Sequence, residues 1–537
     1  YTMKLSTDYR KREFTVQYNE SDFNFVCRLM EDEGIGYFFK HEKGKHTLVI
    51  FDDPSANDPC PKQEKVRYEY SEGALLQEDV IGTFRMSQEL RTGEFAINDY
   101  DFKNPSAKLL ASTSSSVAYK KAELSRYEYP ANYVMMNDGS KLAKMRMEME
   151  EAQHAHSSGS STCRAFASGY RFDLAGAGAM SGTYVLRSVT HAATEGSYLS
   201  EGGIDVKTDY NNTFTCMPHK VPFRPRRTAY VPLIPGAQTA IVVGAEGDEI
   251  TTDEHGRAKV RFHWQRDDKK LASCWIRVGQ IWASKGYGAV FLPRVNDEVI
   301  VEFLEGNPDR PLITGKVYHG TNMPPYTLPG EKTKSTIKSN TSPGGNGFNE
   351  IRFEDAKDKE QVFIHGQKNL DIQVKNDMFE TVGNDSNIVI KGNRFLTVEK
   401  NLDVTVKGKF TEVVEGDADI TINGNEARKV KGTFSIICES GFTEDYKDDC
   451  SISSGKKITI KGGEVVINAD KNITLQVGSN SIVIASDGIT IKAAGKLEME
   501  GMETTVKGKT LKATGEAMAN FESTGTAVLK GTLVQIN

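Results

Sequence analysis

From Asp371 to Phe434 the chain repeats a pattern of eight residues without a gap, and its octads begin at Asp371, Phe379, Asn387, Phe395, Asp403, Thr411, Asp419 and Ala427. The fourth position is Val374, Val382, Ile390, Val398, Val406, Val414, Ile422 and Val430, a β-branched aliphatic every time. The second position shares a strand face with the fourth, and it is apolar at Ile372, Ile388, Leu396, Val404 and Ile420. The sixth position is Asn376, Asn384, Gly392, Lys400, Gly408, Gly416, Gly424 and Gly432. Gly and Asn best tolerate left-handed backbone, so a corner of positive φ is expected there. Each octad thus reads as one short strand plus one bend. A single apolar stripe cannot be buried by one octad, so octads must stack around a shared axis, with Val and Ile inside and charges outside. A weaker continuation runs through Ile458/Ile460, Val465/Ile467, Ile473/Leu475, Ile482/Ile484 and Ile489/Ile491. At ~4.8 Å of rise per octad, residues 371–537 would make a rod roughly 100 Å long.

Octads alone leave open whether one chain or three share the axis. No 24-residue superperiod marks single-chain coils, which favours three identical chains. Glu380, Glu412 and Arg428 fall at the second position. An unpaired charge there would be costly, and pairing across chains, trapped water or ions, and a local bulge are the alternatives.

The earlier sequence is different. Residues 1–225 read as an α+β domain. Ser21 can cap a helix through Glu33, with Phe25, Val26, Leu29 and Met30 on one stripe and Gly34 as the stop. Strands at 35–39 and 47–51 follow, joined at Gly44, and a second helix is expected near 141–156. Pro218, Pro222, Pro225, Pro232 and Pro235 mark an extended linker. In 226–325, Ala258, Val260, Phe262 and Trp264 alternate with Arg257, Lys259, Arg261 and His263, as do Cys274, Ile276 and Val278. Five or six such short strands suit a small closed barrel of the OB type. Residues 326–370 connect this block to the rod, which occupies 371–537. The fold class is therefore mainly β: an α+β domain, an OB-fold barrel and an intertwined β-helix.

Composition narrows the function. A formal net charge of -6 argues against nucleic acid as a partner. The seven cysteines are scattered without CxxC spacing, which fits reduced thiols in a chain folded in the cytosol. No apolar run approaches the ~20 residues of a membrane helix. The chain opens at Tyr1 inside what already reads as domain sequence.

Candidate chemistry is sparse. His154 and His156 stand two apart on an expected helix, so they do not face one side; His154 reads as a charge at the helix C-terminus. His263 alternates outward beside Trp264. Glu298, Glu302 and Glu305 sit in strand and turn context and read as solvated. Gly344-Gly345-Asn346-Gly347 lacks the phosphate-loop pattern. The roughly thirty residues between Tyr318 and Asn349 leave no room for a lysozyme-like insert with a carboxylate pair. No catalytic, cofactor-binding or metal-binding residue is expected.

Long stretches carry a family resemblance: VQYNESDFNFVCRLMEDEGIGYFF (16–39), NDYDF (98–102), TAIVVGAEGDEITTDEHGRAKVRFHWQRD (239–267), ASCWIRV (272–278), FLEGNPDRPLITGKVYH (303–319) and NEIRFED (349–355). With these the chain resembles the VgrG family, the spikes of type VI secretion, themselves similar to the hub and cell-puncturing spike of contractile-tail phages. The resemblance implies a hub-like domain, an OB-fold and a triple-stranded β-helix in a homotrimer. It implies an Hcp tube at the hub end, a PAAR-type tip protein at the C-terminal end, effector cargo and a transiently pierced target-cell membrane. It implies assembly in the bacterial cytoplasm followed by secretion through the type VI apparatus, and no enzyme activity. Family members carry more than a hundred residues before the first of these stretches, so the hub is expected to be incomplete at its N-terminus. A contractile-phage tail spike, a cell-wall glycosidase, and a β-helical adhesin or polysaccharide lyase are the rival readings.

Overall fold

The computed structural model describes residues 1–69, 78–117, 124–195, 209–266 and 272–536; Asp267, the last residue of one family stretch, lies outside them. The chain divides into two units, 1–386 and 387–537.

In the first unit, β1 (Thr2–Lys4), β2 (Gly36–Glu42) and β3 (Lys45–Phe51) form a sheet of order β1-β3-β2, with the hairpin turning at Gly44 (φ 72°). Between β1 and β2 runs α1 (Asp22–Asp32). The Ser21 hydroxyl accepts from the Asn24 N–H at 3.2 Å, and Gly34 (φ 69°) ends the turn. No residue of α1 is fully buried, and Val26 of the expected stripe is exposed. The helix therefore lies on the surface instead of plugging a core.

Strands β4 (Lys65–Arg67), β5 (Ile81–Gln88), β6 (Glu94–Ile97), β7 (Ala111–Ser114) and β8 (Ser125–Glu128) precede α2 (Met136–His154). They are followed by β9 (Ala155–Ser161), β10 (Arg171–Ala175), β11 (Gly182–Thr194) and β12 (Asp209–Pro218). A six-stranded sheet of order β4-β10-β11-β12-β9-β5 buries Phe84, Phe166, Phe172, Leu186 and Phe214. Leu142, Ala143, Met147 and Met149 of α2 pack with Phe95, Ile97, Leu109 and Ala111. The helix starts five residues before the expected 141 and stops at His154, because Ala155 turns extended and β9 joins β5 and β12. His156 is therefore a strand residue, and strand pairing has overridden the local helical pattern.

The next module is the expected barrel. Its strands are β13 (Gln238–Val243), β14 (Lys259–Phe262), β15 (Arg277–Val278), the small hairpin β16 (Ala283–Ser284) and β17 (Tyr287–Gly288), then β18 (Glu298–Phe303) and β19 (Pro311–Val317). Five of them run in the order β14-β13-β18-β19-β15, and a bridge between Ala258 and Ile276 joins the two ends. The alternation seen in the sequence becomes the core: Ala240, Val242, Ala258, Val260, Phe262, Ile276, Val299, Val301 and Ile313 are buried. Arg257, expected on the polar half, is buried instead. Its Nε donates to Asp253 Oδ2 at 2.7 Å, and its guanidinium lies over the Phe102 ring at 5.3 Å.

Strands β20 (Lys334–Lys338), β21 (Glu350–Glu354) and β22 (Gln361–His365) form an antiparallel meander. The second unit carries one more, β23 (Asn472–Val477), β24 (Asn480–Ala485) and β25 (Gly488–Lys492). This corrects the expected continuation of the octads, since 473–491 pair with one another within the chain. The cause is two two-residue turns, Gly478-Ser479 and Ser486-Asp487, each of which folds a strand straight back.

Candidate functional site

The octads are built by bends. Bends fall on the fifth and sixth positions of every octad, at 375–376 and then every eight residues, both in the part of the first unit that holds octads and in the second. The spacing persists past 434 at 439–440, 447–448 and 455–456. None of the sixth-position residues Asn376, Asn384, Gly392, Gly408, Gly416, Gly424 and Gly432 has a positive φ. The expectation of left-handed corners is thus corrected: the chain turns with ordinary backbone angles. A methyl group added at Gly392, Gly408, Gly416, Gly424 or Gly432 would meet no atom of the same chain within 4 Å. Nothing within one chain therefore demands glycine there.

The fourth-position residues Val374, Val382, Ile390, Val398, Val406, Val414, Ile422 and Val430 are 44–52% exposed in the single chain. The apolar second-position residues are 65–79% exposed, so the two positions are not equivalent, and the fourth lies deeper along the inside of the bends. Among the described residues, none between 366 and 471 belongs to a strand ladder. Such a segment leaves backbone donors, acceptors and a periodic Val/Ile stripe open at once. Backbone groups taken out of water need partners, and apolar stripes are driven out of water. Both needs are met together only when other strands lie alongside.

The charges at second positions fit this geometry. Glu380, Glu412 and Arg428 are all exposed in the single chain, and Arg428 Nε pairs with Glu426 two residues earlier. A local partner on the same segment between two bends thus exists for Arg428.

The residues weighed for chemistry do not converge. His154 Nδ1 lies 2.7 Å from the Glu89 carbonyl oxygen, while His156 sits opposite Ser87 on β9. His263 is exposed with Nε2 3.0 Å from Thr239 Oγ1. Glu298 is half-buried on β18, and Glu302 and Glu305 are exposed. Gly344 (φ 60°) makes a turn whose N–H donates to Glu249 Oε1 at 2.6 Å. Among the described residues no His/Cys/Asp/Glu group is arranged to hold a metal, and no helix is long and apolar enough to cross a membrane. All seven cysteines are free; burial pushes the Cys60 thiol up to about 12 and that of Cys163 to about 11.

Two features escaped the sequence. One is a strap at residues 6–18. Asp52 accepts from the Ser6 N–H at 2.7 Å, Thr7 Oγ1 at 3.1 Å and Tyr9 Oη at 2.8 Å. Arg12 donates to Asp32 Oδ2 and Glu33 Oε1, each at 2.6 Å. The Val16 N–H then donates to Asp309 Oδ1 at 2.7 Å, and Tyr18 packs edge-on to Trp264, ring centres 5.8 Å apart, in the barrel. Asp32 also receives Arg146 Nη2 of α2 at 2.6 Å. Burial alone would raise the Asp32 pKa; the Arg146 and Arg12 guanidiniums outweigh it and hold the carboxyl down to about 2. The other feature is the barrel hairpin, where Trp282 and Tyr287 meet edge-on at 5.8 Å and both stay exposed beside Ile281 and Val290.

Residues 1–197 match the phage tail baseplate hub family (GPD). Residues 238–318 match the type VI secretion system/phage-baseplate injector OB domain, and residues 335–443 the bacteriophage T4 gp5 C-terminal trimerisation domain. The type VI secretion system spike protein VgrG1b of Pseudomonas aeruginosa is 40% identical over 387 residues, covering 71% of this chain and 52% of that protein. The actin cross-linking toxin VgrG1 of Vibrio cholerae is 36% identical over 397 residues, covering 73% of this chain and 36% of that protein. A solved structure of the E. coli c3393 protein, described as a component of the type VI secretion system similar to T4 tail proteins gp27 and gp5, is 20% identical. It covers 59% of this chain and 65% of that one, with a TM-score of 0.39. The chain spans about half the length of the first curated relatives it matches.

Proposed function

We propose that the chain belongs with the VgrG spike proteins of type VI secretion and is one subunit of a homotrimeric puncturing spike that delivers effectors. The observation that carries this reading is the stripe of half-exposed Val and Ile at every eighth residue, in a segment that matches a trimerisation module. Three chains laid side by side would cover that stripe and supply the missing strand partners together. Val374, Val382, Ile390, Val398, Val406, Val414, Ile422 and Val430 then form the axial core, and the Gly and Asn bends form its corners. Interlocked strands cannot slip apart without unwinding, which suits a body driven forward under load.

The role is mechanical, and the residues of the rod act by packing, not by catalysis. The hub end takes a tube of Hcp, the C-terminal end a PAAR-type tip, and the cargo rides with them. The spike is assembled in the bacterial cytoplasm and leaves through the type VI apparatus. Light scattering on the purified chain tests the core of this proposal. A solution mass near three times the 59.4 kDa chain is expected, and a particle of single-chain mass overturns it.

A further inference from the structure

We infer that residues 472–492 form a register collar: a sheet each chain folds by itself, whose apolar face is covered by the same face of two further copies of this chain. The inference rests on the trimeric reading above, and goes beyond it in assigning an interface outside the matched trimerisation segment 335–443.

The meander is folded by its own turns. Gly478 (φ 56°) opens the first two-residue loop, and Gly488 follows the second. Register then places Ile473 opposite Ile484 and Ile484 opposite Ile489, with Leu475 opposite Ile482 and Ile482 opposite Ile491. These six residues share one face with Val477. The other face carries Thr474, Gln476, Ser481, Val483, Thr490 and Lys492. The sheet is a single layer. Leu475, Val477, Ile489 and Ile491 stay 49–80% exposed, and even the central Ile482 and Ile484 are 38% and 41% exposed. That is roughly 600 Å² of open apolar surface per chain, close to the ~800 Å² each partner brings to an interface of ordinary size. A lone three-stranded sheet with its apolar face in water is marginal.

The occupant follows from continuity. The eight-residue bends reach 455–456, shortly before the collar, and apolar residues such as Leu497 and Val506 follow it. A face that follows along the chain after stripes which, on the trimeric reading, copies of the chain cover is most simply covered by those same copies. The octads also need such an element. Eight consecutive repeats share a β-branched fourth residue, so sliding one chain by one octad changes few core contacts. The collar is not repetitive, and its seven apolar residues meet their counterparts in one alignment only. Its hairpins form from local contacts, which are quick to make, so each chain brings a finished sheet to the encounter.

The test uses the full chain with Cys438→Ala and Cys450→Ala, so that no other exposed thiol lies in the second unit. In one variant Ile482→Cys puts a thiol on the apolar face; in the other Val483→Cys puts it on the opposite face of the same strand. A short bis-maleimide is then applied to each, and the mass is checked by light scattering. A trimer is expected for both, with chains cross-linked in the Ile482→Cys variant and not in the Val483→Cys variant, and with amide exchange in β24 slowed at least ~100-fold over a free chain. A trimer in which neither variant cross-links and β24 exchanges freely overturns the collar while leaving the trimer standing. A single-chain mass overturns both.

Discussion

Val406→Asp probes the axis of the rod. In the single chain Val406 is 48% exposed, which is about 70 Å² of apolar surface awaiting cover. At ~25 cal/mol per Å² that cover contributes about 2 kcal/mol per chain. Aspartate forfeits this and places three carboxylates around one axis, where desolvation costs several kcal/mol per ion. Both desolvation and the neighbouring like charges raise the pKa of the introduced carboxyl in the trimer above its value in the free chain. The sign follows from that. The penalty is full above the raised value and fades as pH falls through it, because the neutral acid buries more cheaply. Native mass spectrometry should therefore find fewer trimers at pH 7 and a partial return at mildly acidic pH. Lys407→Asp, one residue on and at the bend, should leave the trimer unchanged. Equal loss in both variants, or an intact Val406→Asp trimer at pH 7, refutes the axial placement.

Three further outcomes are expected. Asp32→Asn leaves Arg146 buried without its anion and should cost the hub about 2–3 kcal/mol, read as a lower melting temperature by calorimetry. With a folded pKa of about 2 against ~3.9 unfolded, Asp32 stabilises the wild-type hub fully above pH ~4 and loses that contribution as pH falls toward 2, a dependence the variant should lack. Gly169→Ala should destabilise the hub by about 2 kcal/mol or more in chemical denaturation, because its φ is 86° and the new methyl would sit 2.2 Å from Phe38; Gly408→Ala meets no such obstacle within its chain and should cost under ~1 kcal/mol. Asp309→Ala removes the acceptor of the Val16 N–H and should raise amide exchange along residues 14–18 without unfolding the barrel.

Several elements were legible because their periodicity is their cause. The alternation at 258–264 is the barrel wall, and Ser21 and Gly34 delimit α1 as capping chemistry requires. The octads could be read because a period of eight survives any tertiary context. The corner angles could not. Gly and Asn permit left-handed backbone without requiring it, and composition does not say which choice the chain makes. The collar was hidden by its own apolar pairs, which mimic octad strands; the available clue was the irregular spacing around Gly478-Ser479 and Ser486-Asp487. The strap and the burial of Arg146 depend on partners up to hundreds of residues away, such as Asp309 for Val16, and no local pattern encodes them; Arg257 has a near partner in Asp253, but the Phe102 ring beneath it is distant in sequence.

The strap gives the hub and barrel a second mechanical path. The Pro-rich run 218–235 is the covalent link, and it is itself pinned: Arg224 pairs with Glu148 and donates to the Asp52 carbonyl, the Thr228 N–H donates to Glu31, and Ile234 is buried in the barrel core. Residues 6–18 run from Asp52 past Asp32 to Asp309 and Trp264, gripping both bodies through backbone and ionic contacts. Hub and barrel are thus joined along more than one seam, and the Arg310–Asp99 pair adds a direct contact between them. Asp52 serves both, its carboxylate holding Ser6, Thr7 and Tyr9 of the strap and its carbonyl accepting from Arg224 of the link, so a change at this one residue would loosen the two seams together.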